Sequence, residues 1–247
     1  MRTRDLFEGE RPRRLSSIAF PPDARVACLA PHPDDFDAMG IAMRFFRDHG
    51  NPIRVAVFSS SSGVEESYCA DPTPGKHAAI RDREQRRSCR FFGLSQSDLT
   101  FLHLDEDETG QHTASPHNLE RLGAWVLAER PDLVFLPHGN DPNTGHQRTD
   151  AMARAVAARA HFPITAFLVR DPKTVDMRTD VYAEFGEDDA TWKAELLRFH
   201  DSQHQRNLHL RGHGFDDRIL NVNREVAREL GLEAPYAEAF ELEFWNQ

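Results

Sequence analysis

The residues best equipped for chemistry follow an apolar run, in which Val26-Ala27-Cys28-Leu29-Ala30-Pro31 leads into His32-Pro33-Asp34-Asp35. A buried strand of this kind delivers its last residues to the carboxyl edge of a sheet, where open α/β folds keep their ligand crevices. His32 and Asp35 lie three residues apart in a tight turn and are placed to bind one Zn²⁺, while Asp34 between them points elsewhere. A free carboxylate beside a metal-activated water is a candidate general base. The same residues also read as a turn in which Asp34 or Asp35 caps a helix through Ala38–His49. A second run, Asp132-Leu133-Val134-Phe135-Leu136, breaks into Pro137-His138-Gly139-Asn140-Asp141-Pro142-Asn143-Thr144-Gly145-His146. Again a strand ends in polar, turn-forming residues.

Together these segments resemble the PIG-L/LmbE-like family of zinc-dependent deacetylases, which carries A-H-P-D-D after its first strand and a later H-x-D-H motif. Arg81-x-x-Glu84 ahead of Phe92-Gly93-Leu94 resembles the family's R-x-x-E…L-G helix. Lys193 with His200-Asp201-Ser202-Gln203 resembles its K…H-x-S-Q segment, and Tyr236-Ala237-Glu238-Ala239-Phe240 its terminal Y-A-E-A-F strand. The likeness therefore runs from Val26 to Phe244. It implies Zn²⁺ held by His32, Asp35 and His146, with Asp34 as general base. Two histidines and a carboxylate leave a coordination position open, the arrangement expected for catalysis rather than structure.

The chain departs from the family at two points, reading Asn143-Thr144-Gly145-His146 in place of H-x-D-H. The histidine that would help stabilise an oxyanion is replaced by Asn143, and the aspartate that would orient a neighbouring side chain by Gly145. Asn143 can still donate an amide N–H to a developing oxyanion, and His138 is a second candidate. Phe36-Asp37 stands in place of the apolar-Glu pair common after the two aspartates. The resemblance implies removal of an N-acetyl or N-acyl group from an N-acetylglucosamine-type sugar conjugate. Two other readings stay open: a zinc hydratase or amidohydrolase acting on a small non-sugar acid, and a metal-binding scaffold without turnover. Asp34 argues against the scaffold, which has no use for an unliganded base.

The elements that must position these residues alternate between strand-like and amphipathic helical runs. This predicts a Rossmann-like α/β fold, a mostly parallel sheet covered by helices on both faces, with an irregular C-terminal extension beyond Asp171. Expected strands are Val26–Ala30, Ile53–Ser59, Leu99–His103, Leu133–Leu136, Ile164–Leu168, Met177–Tyr182 and Pro235–Phe244. Expected helices are Ala38–His49, His77–Phe92, Pro116–Glu129, His146–Ala160 and Ala190–Gln203. The 247 residues fit one α/β domain, with residues 1–20 as an N-terminal arm. The apolar strand Tyr236–Trp245 is an edge that a second copy could pair with or cover, giving a homo-oligomer.

The formal net charge of -10 argues against a nucleic-acid or anionic-membrane surface. No apolar stretch approaches the roughly 18 residues of a membrane span. The polar start and the isolated Cys28, Cys69 and Cys89 point to a cytoplasmic protein with free thiols.

Two loops are expected at the pocket. The serine run Ser59-Ser60-Ser61-Ser62, leading into Gly63-Val64-Glu65-Glu66, follows the second strand, and Gly63–Lys76 is long enough for a lid or rim. Arg81 is expected to lean over the pocket with its planar fork, and Asp105 or Asp107 to meet sugar hydroxyls. A sugar enzyme would bring Arg81 and one of those acids to the metal. A hydratase for a dicarboxylate would present at least two cations there, with Lys193 as a candidate beside Arg81.

Overall fold

The computed structural model describes residues 3–65 and 68–246. Residues 1 and 2 of the expected arm, and 66 and 67 of the expected lid, lie outside the described residues. Among the described residues one sheet has eight strands: β1 (Arg13–Arg14), β2 (Val26–Ala30), β3 (Ile53–Val57), β4 (Leu99–Phe101), β5 (Leu133–Pro137), β6 (Ile164–Val169), β7 (Val181–Phe185) and β8 (Tyr236–Trp245), in the order β1-β7-β8-β6-β5-β2-β3-β4. All pairings are parallel except those of β8, which runs antiparallel to β6 and β7. The helices are α1 (Asp35–Ala38), α2 (Gly40–Asp48), α3 (Pro74–Phe92), α4 (Pro116–Glu129), α5 (Thr144–Ala157), α6 (Glu187–Arg198), α7 (Asp201–Arg211) and α8 (Phe215–Glu229). None of them is long and apolar enough to cross a membrane.

The central strands are apolar without alternation because both faces are covered. Val26, Cys28 and Ala30 of β2 pack with Phe46, Phe135 and Phe167 on one face. Ala27 and Leu29 pack with Leu122, Met152 and Val156, from α4 and α5, on the other. Local signals set the helix limits. The Thr73 hydroxyl accepts the Lys76 N–H ahead of Pro74, and α3 stops at Gly93, whose φ of 102° suits glycine.

From β2 the chain moves outward through β3 to β4; from β5 it moves outward the other way to β6. The carboxyl ends of β2 and β5 therefore flank a topological switch point, where a crevice opens. His32-Pro33-Asp34-Asp35 leaves one strand there and Asn143-Thr144-Gly145-His146 follows the other.

The C-terminal third differs most from expectation. Ala190–Gln203 is two helices broken at His200, whose ψ of 61° cannot continue a helix. The fifteen-residue α8 was not anticipated, although Phe215, Ile219, Val222 and Val226 give it a buried stripe. β8 is no edge, since it lies between β6 and β7. Lys193 is fully buried and far from being a free cation: its Nζ donates to Glu238 at 2.7 Å and to Asn223 at 2.8 Å. The Glu238 carboxylate also accepts the Ile41 and Ala42 N–H groups at the start of α2. Lys193→Met is expected to cost about 3–5 kcal/mol, because it leaves that carboxylate buried without its cation. A urea-midpoint measurement checks this, and a loss below about 1 kcal/mol would mean the helix N–H groups suffice for Glu238.

Candidate metal centre and active-site cleft

The turn after β2 is tightly specified. The Asp35 carboxylate accepts the His32 N–H at 2.8 Å, and its Oδ2 lies 3.3 Å from His32 Nδ1. Its Oδ1 lies 3.4 Å from Nε2 of His146, brought across the switch point by the first turn of α5. His32, Asp35 and His146 thus each offer one atom, all within 4.8 Å of one another, and could hold a metal ion.

The outward nitrogens test the fit. His32 Nε2 is 2.7 Å from Gln111 Oε1, and His146 Nδ1 is 3.3 Å from Asp141 Oδ2. Imidazoles that ligate metals are held in this way, one nitrogen inward and the other on an oriented acceptor. Burial alone would raise the Asp35 pKa, but His146 and His32 outweigh it and hold the carboxyl well below the usual range. Burial alone would lower that of His146, and Asp35 and Asp141 instead push it well up. A cation at the centre would take the place of the proton held there.

Asp34 stands apart from the triangle. Its φ of 107° is left-handed, rare for a residue with a side chain, and its carboxylate is not among the three convergent atoms. Gln85 Oε1 accepts the Asp34 N–H at 3.0 Å, and the Gln85 amide donates to Asp37 at 2.9 Å. Asp37 also receives Ser88 at 3.1 Å and lies 2.6 Å from His200 Nε2. Nearby, Glu84 accepts both the N–H and the hydroxyl of Ser202, at 2.8 and 2.7 Å. The R-x-x-E and H-x-S-Q segments are therefore one structural unit beneath Asp34. Burial raises the Asp34 pKa against the opposing pull of Arg81.

The structure places the expected substrate contacts differently. Arg81 lines the cleft but is only 3 % exposed, with its guanidinium on Asp34 Oδ2 at 3.1 Å and on the carbonyls of Pro33 and Ser62, so it is already engaged within the protein. Ser60 is buried, its N–H donating to Glu106 at 3.2 Å. Asp107 is engaged by Arg148 at 2.6 Å and by Thr109. His138 faces Glu241 at 3.5 Å, and its Nδ1 accepts the Asn140 N–H. None of Ser60, Asp107 and His138 lines the cleft. Asn143 does line it: as N-cap of α5 its Oδ1 accepts the Gly145 N–H at 2.9 Å, which leaves the amide N–H₂ to face the cleft.

Sequence reasoning missed Gln111 and Asp141. Gln111 comes from the hairpin bridged at Glu106 and His112, which Arg148 of α5 ties down through the His112 carbonyl at 3.0 Å. Gly145 makes room for it. A Cβ there would stand 2.3 Å from Gln111 Oε1 and 2.8 Å from His32 Nε2. By the family pattern Gly145 is a missing aspartate; the side chain that fills the gap lies 34 residues upstream in the chain.

The cleft above the triangle has a volume of about 280 Å³. His32, Asp34, Asp35, Gln111, Asn143 and His146 form its floor, and α7, α8 and Lys173 its outer wall.

The chain matches the PIG-L family, described as GlcNAc-PI de-N-acetylase, over residues 27–157. No curated protein matches it. Its fold is similar to that of N,N'-diacetylchitobiose deacetylase from Pyrococcus horikoshii, with a TM-score of 0.73 and 20% identity over 89% of this chain and 83% of that one. A deacetylase of teicoplanin biosynthesis gives a TM-score of 0.66 at 13% identity, over 91% and 100%. The 4-carboxy-2-hydroxymuconate hydratase from Pseudomonas putida gives 0.67 at 18%, over 89% and 95%. At these identities the likeness is one of fold.

Proposed function

The chain belongs to the PIG-L (GlcNAc-PI de-N-acetylase) family, and from that premise we propose that it hydrolyses the N-acyl amide of an N-acetylglucosamine-type conjugate. One observation carries the reading: three convergent ligand atoms beside a separate buried carboxylate. Two histidine nitrogens and one carboxylate oxygen, with a position left open, suit zinc. When bound, zinc would polarise the amide carbonyl and acidify the attacking water.

The chain's own groups do the rest. Asp34 takes the proton from the attacking water, its pKa raised by burial so that it can hold that proton. Arg81 fixes its second oxygen. The Asn143 amide donates a hydrogen bond to the carbonyl oxygen as that oxygen gains charge. Asp34 then returns the proton to the departing nitrogen, and a carboxylate and a free amino sugar leave. Gln111 and Asp141 hold the two imidazoles in register throughout.

Metal content and amine release, measured on one purified sample with a panel of N-acetylglucosamine derivatives, test this. The expected result is one zinc per chain and amine release that a chelator abolishes. Zinc without amine release would favour the second reading, a hydratase for a small carboxylated molecule, for which several cations in the cleft also speak. Protein that binds no metal would overturn both.

A further inference from the structure

The outer wall of the cleft is cationic. Arg206 and Arg211 of α7 reach it alongside Gln203 and Asn207, positions that share one helix face. Arg218 comes from α8 and Lys173 from the connection between β6 and β7. Among the described residues these four cations have no ion-pair partner within 4.0 Å and no side-chain hydrogen bond. Elsewhere on this acidic chain arginines are commonly taken up by carboxylates, as Arg44 is by Asp189, Arg154 by Asp150 and Arg178 by Asp180.

The carboxylates of the cleft do not neutralise that wall. Asp34 is engaged by Arg81, and Asp35 faces the two histidines. Asp171 lies in the field of Arg218, but its carboxylate is grouped with Asp141 and His146 and, among the described residues, makes no ion pair with the wall. Burial and the like charge of Arg81 pull the Arg206 pKa down, with Arg211 adding to them, against the opposing charges of Glu65 and Asp34. Cations crowded in this way, on a wall of a concave site, concentrate anions there.

The helix that carries them is built to hold its place. α7 is a polar helix with little apolar surface to bury, and Leu210 on its cleft side is 58% exposed. It is fixed instead through Ser202 on Glu84 and through the Gln203 amide, which donates to the Gly63 carbonyl at 2.9 Å. Planar guanidinium forks so placed match phosphate or carboxylate oxygens, which sugar hydroxyls do not need.

We infer that the substrate carries an anionic group, a phosphate ester or a carboxylate, on the side away from the scissile amide, and that Arg206, Arg211, Arg218 and Lys173 receive it. The identity of the amide rests on the deacetylase reading above; the anion site rests on the wall alone.

The test compares three N-acetylglucosamine glycosides: the neutral methyl glycoside, the 1-phosphate and the glycoside of glycolic acid. Amine release and calorimetric binding are measured with the zinc-loaded wild type and with Arg206→Gln/Arg211→Gln and Arg218→Gln, all exposed or half-buried positions. An anionic glycoside is expected to exceed the neutral one by about tenfold or more in kcat/KM, mostly through KM, and the substitutions to remove that preference. Which of the two anionic probes leads separates phosphate from carboxylate. Equal use of all three by wild type would overturn the anion site and leave the deacetylase reading standing. If no amine is released, calorimetry decides: tighter binding of an anionic probe, lost in the variants, upholds the anion site while the deacetylase reading falls. Equal or absent binding overturns the anion site as well.

Discussion

Asp34→Asn is expected to keep the full metal content while lowering kcat by about 10²–10⁴-fold, the range that a positioned general acid–base supplies. The substitution suits the site. Asparagine tolerates the left-handed conformation better than most residues, so the φ of 107° adds little strain. Its carbonyl oxygen can still accept from Arg81, now 3.1 Å from Asp34 Oδ2, and the Gln85 bond to the main-chain N–H is untouched. The one property removed is the ability to take up a proton. Zinc quantitation beside single-turnover kinetics checks this. Parallel loss of metal and rate would make Asp34 a ligand and undo the division of roles within the turn.

The geometry of that turn was legible in the sequence because it depends on neighbours in the chain. His32 and Asp35 meet on one side of a tight turn that β2 delivers to the sheet edge, and an apolar run followed by His-Pro-Asp-Asp carries both facts. The sheet itself was legible for the same reason, as β2 and α4 fall at their expected limits.

What was hidden depends on contacts between distant segments. Arg81 read as a free cation, but its partner, Asp34, lies 47 residues away. Lys193 reads as an available cation in the sequence, but it is held between Glu238 and Asn223. α8 escaped notice because seven of its fifteen residues are charged, which masks the apolar stripe that faces β8. The cationic wall was hidden in turn, since it exists only once α7 and α8 are folded back over the switch point. Local pattern gives the pairing of His32 with Asp35; packing decides which charged side chains are left facing the cleft.

Gly145→Asp puts that lesson to its hardest test. By family pattern the change restores an aspartate and looks corrective; by packing it is expected to weaken metal binding about 10–100-fold, the usual loss when a ligand's orienting partner is disturbed. The new Cβ would stand 2.3 Å from Gln111 Oε1, which must leave the His32 ring. Helix stability is not the cause, since an aspartate in the first turn of α5 is favoured over glycine. Gln111→Ala alone is expected to cost a similar factor, by freeing His32 Nε2 from its acceptor at 2.7 Å. Combined, the two changes are expected to cost less than their product, because the introduced carboxylate can approach His32 once the glutamine is gone. Zinc affinity by chelator competition reads all three variants without reference to turnover. Wild-type affinity in both single variants would show that His32 needs no orienting partner, and strictly multiplicative losses would show that Gly145 and Gln111 do not share one space.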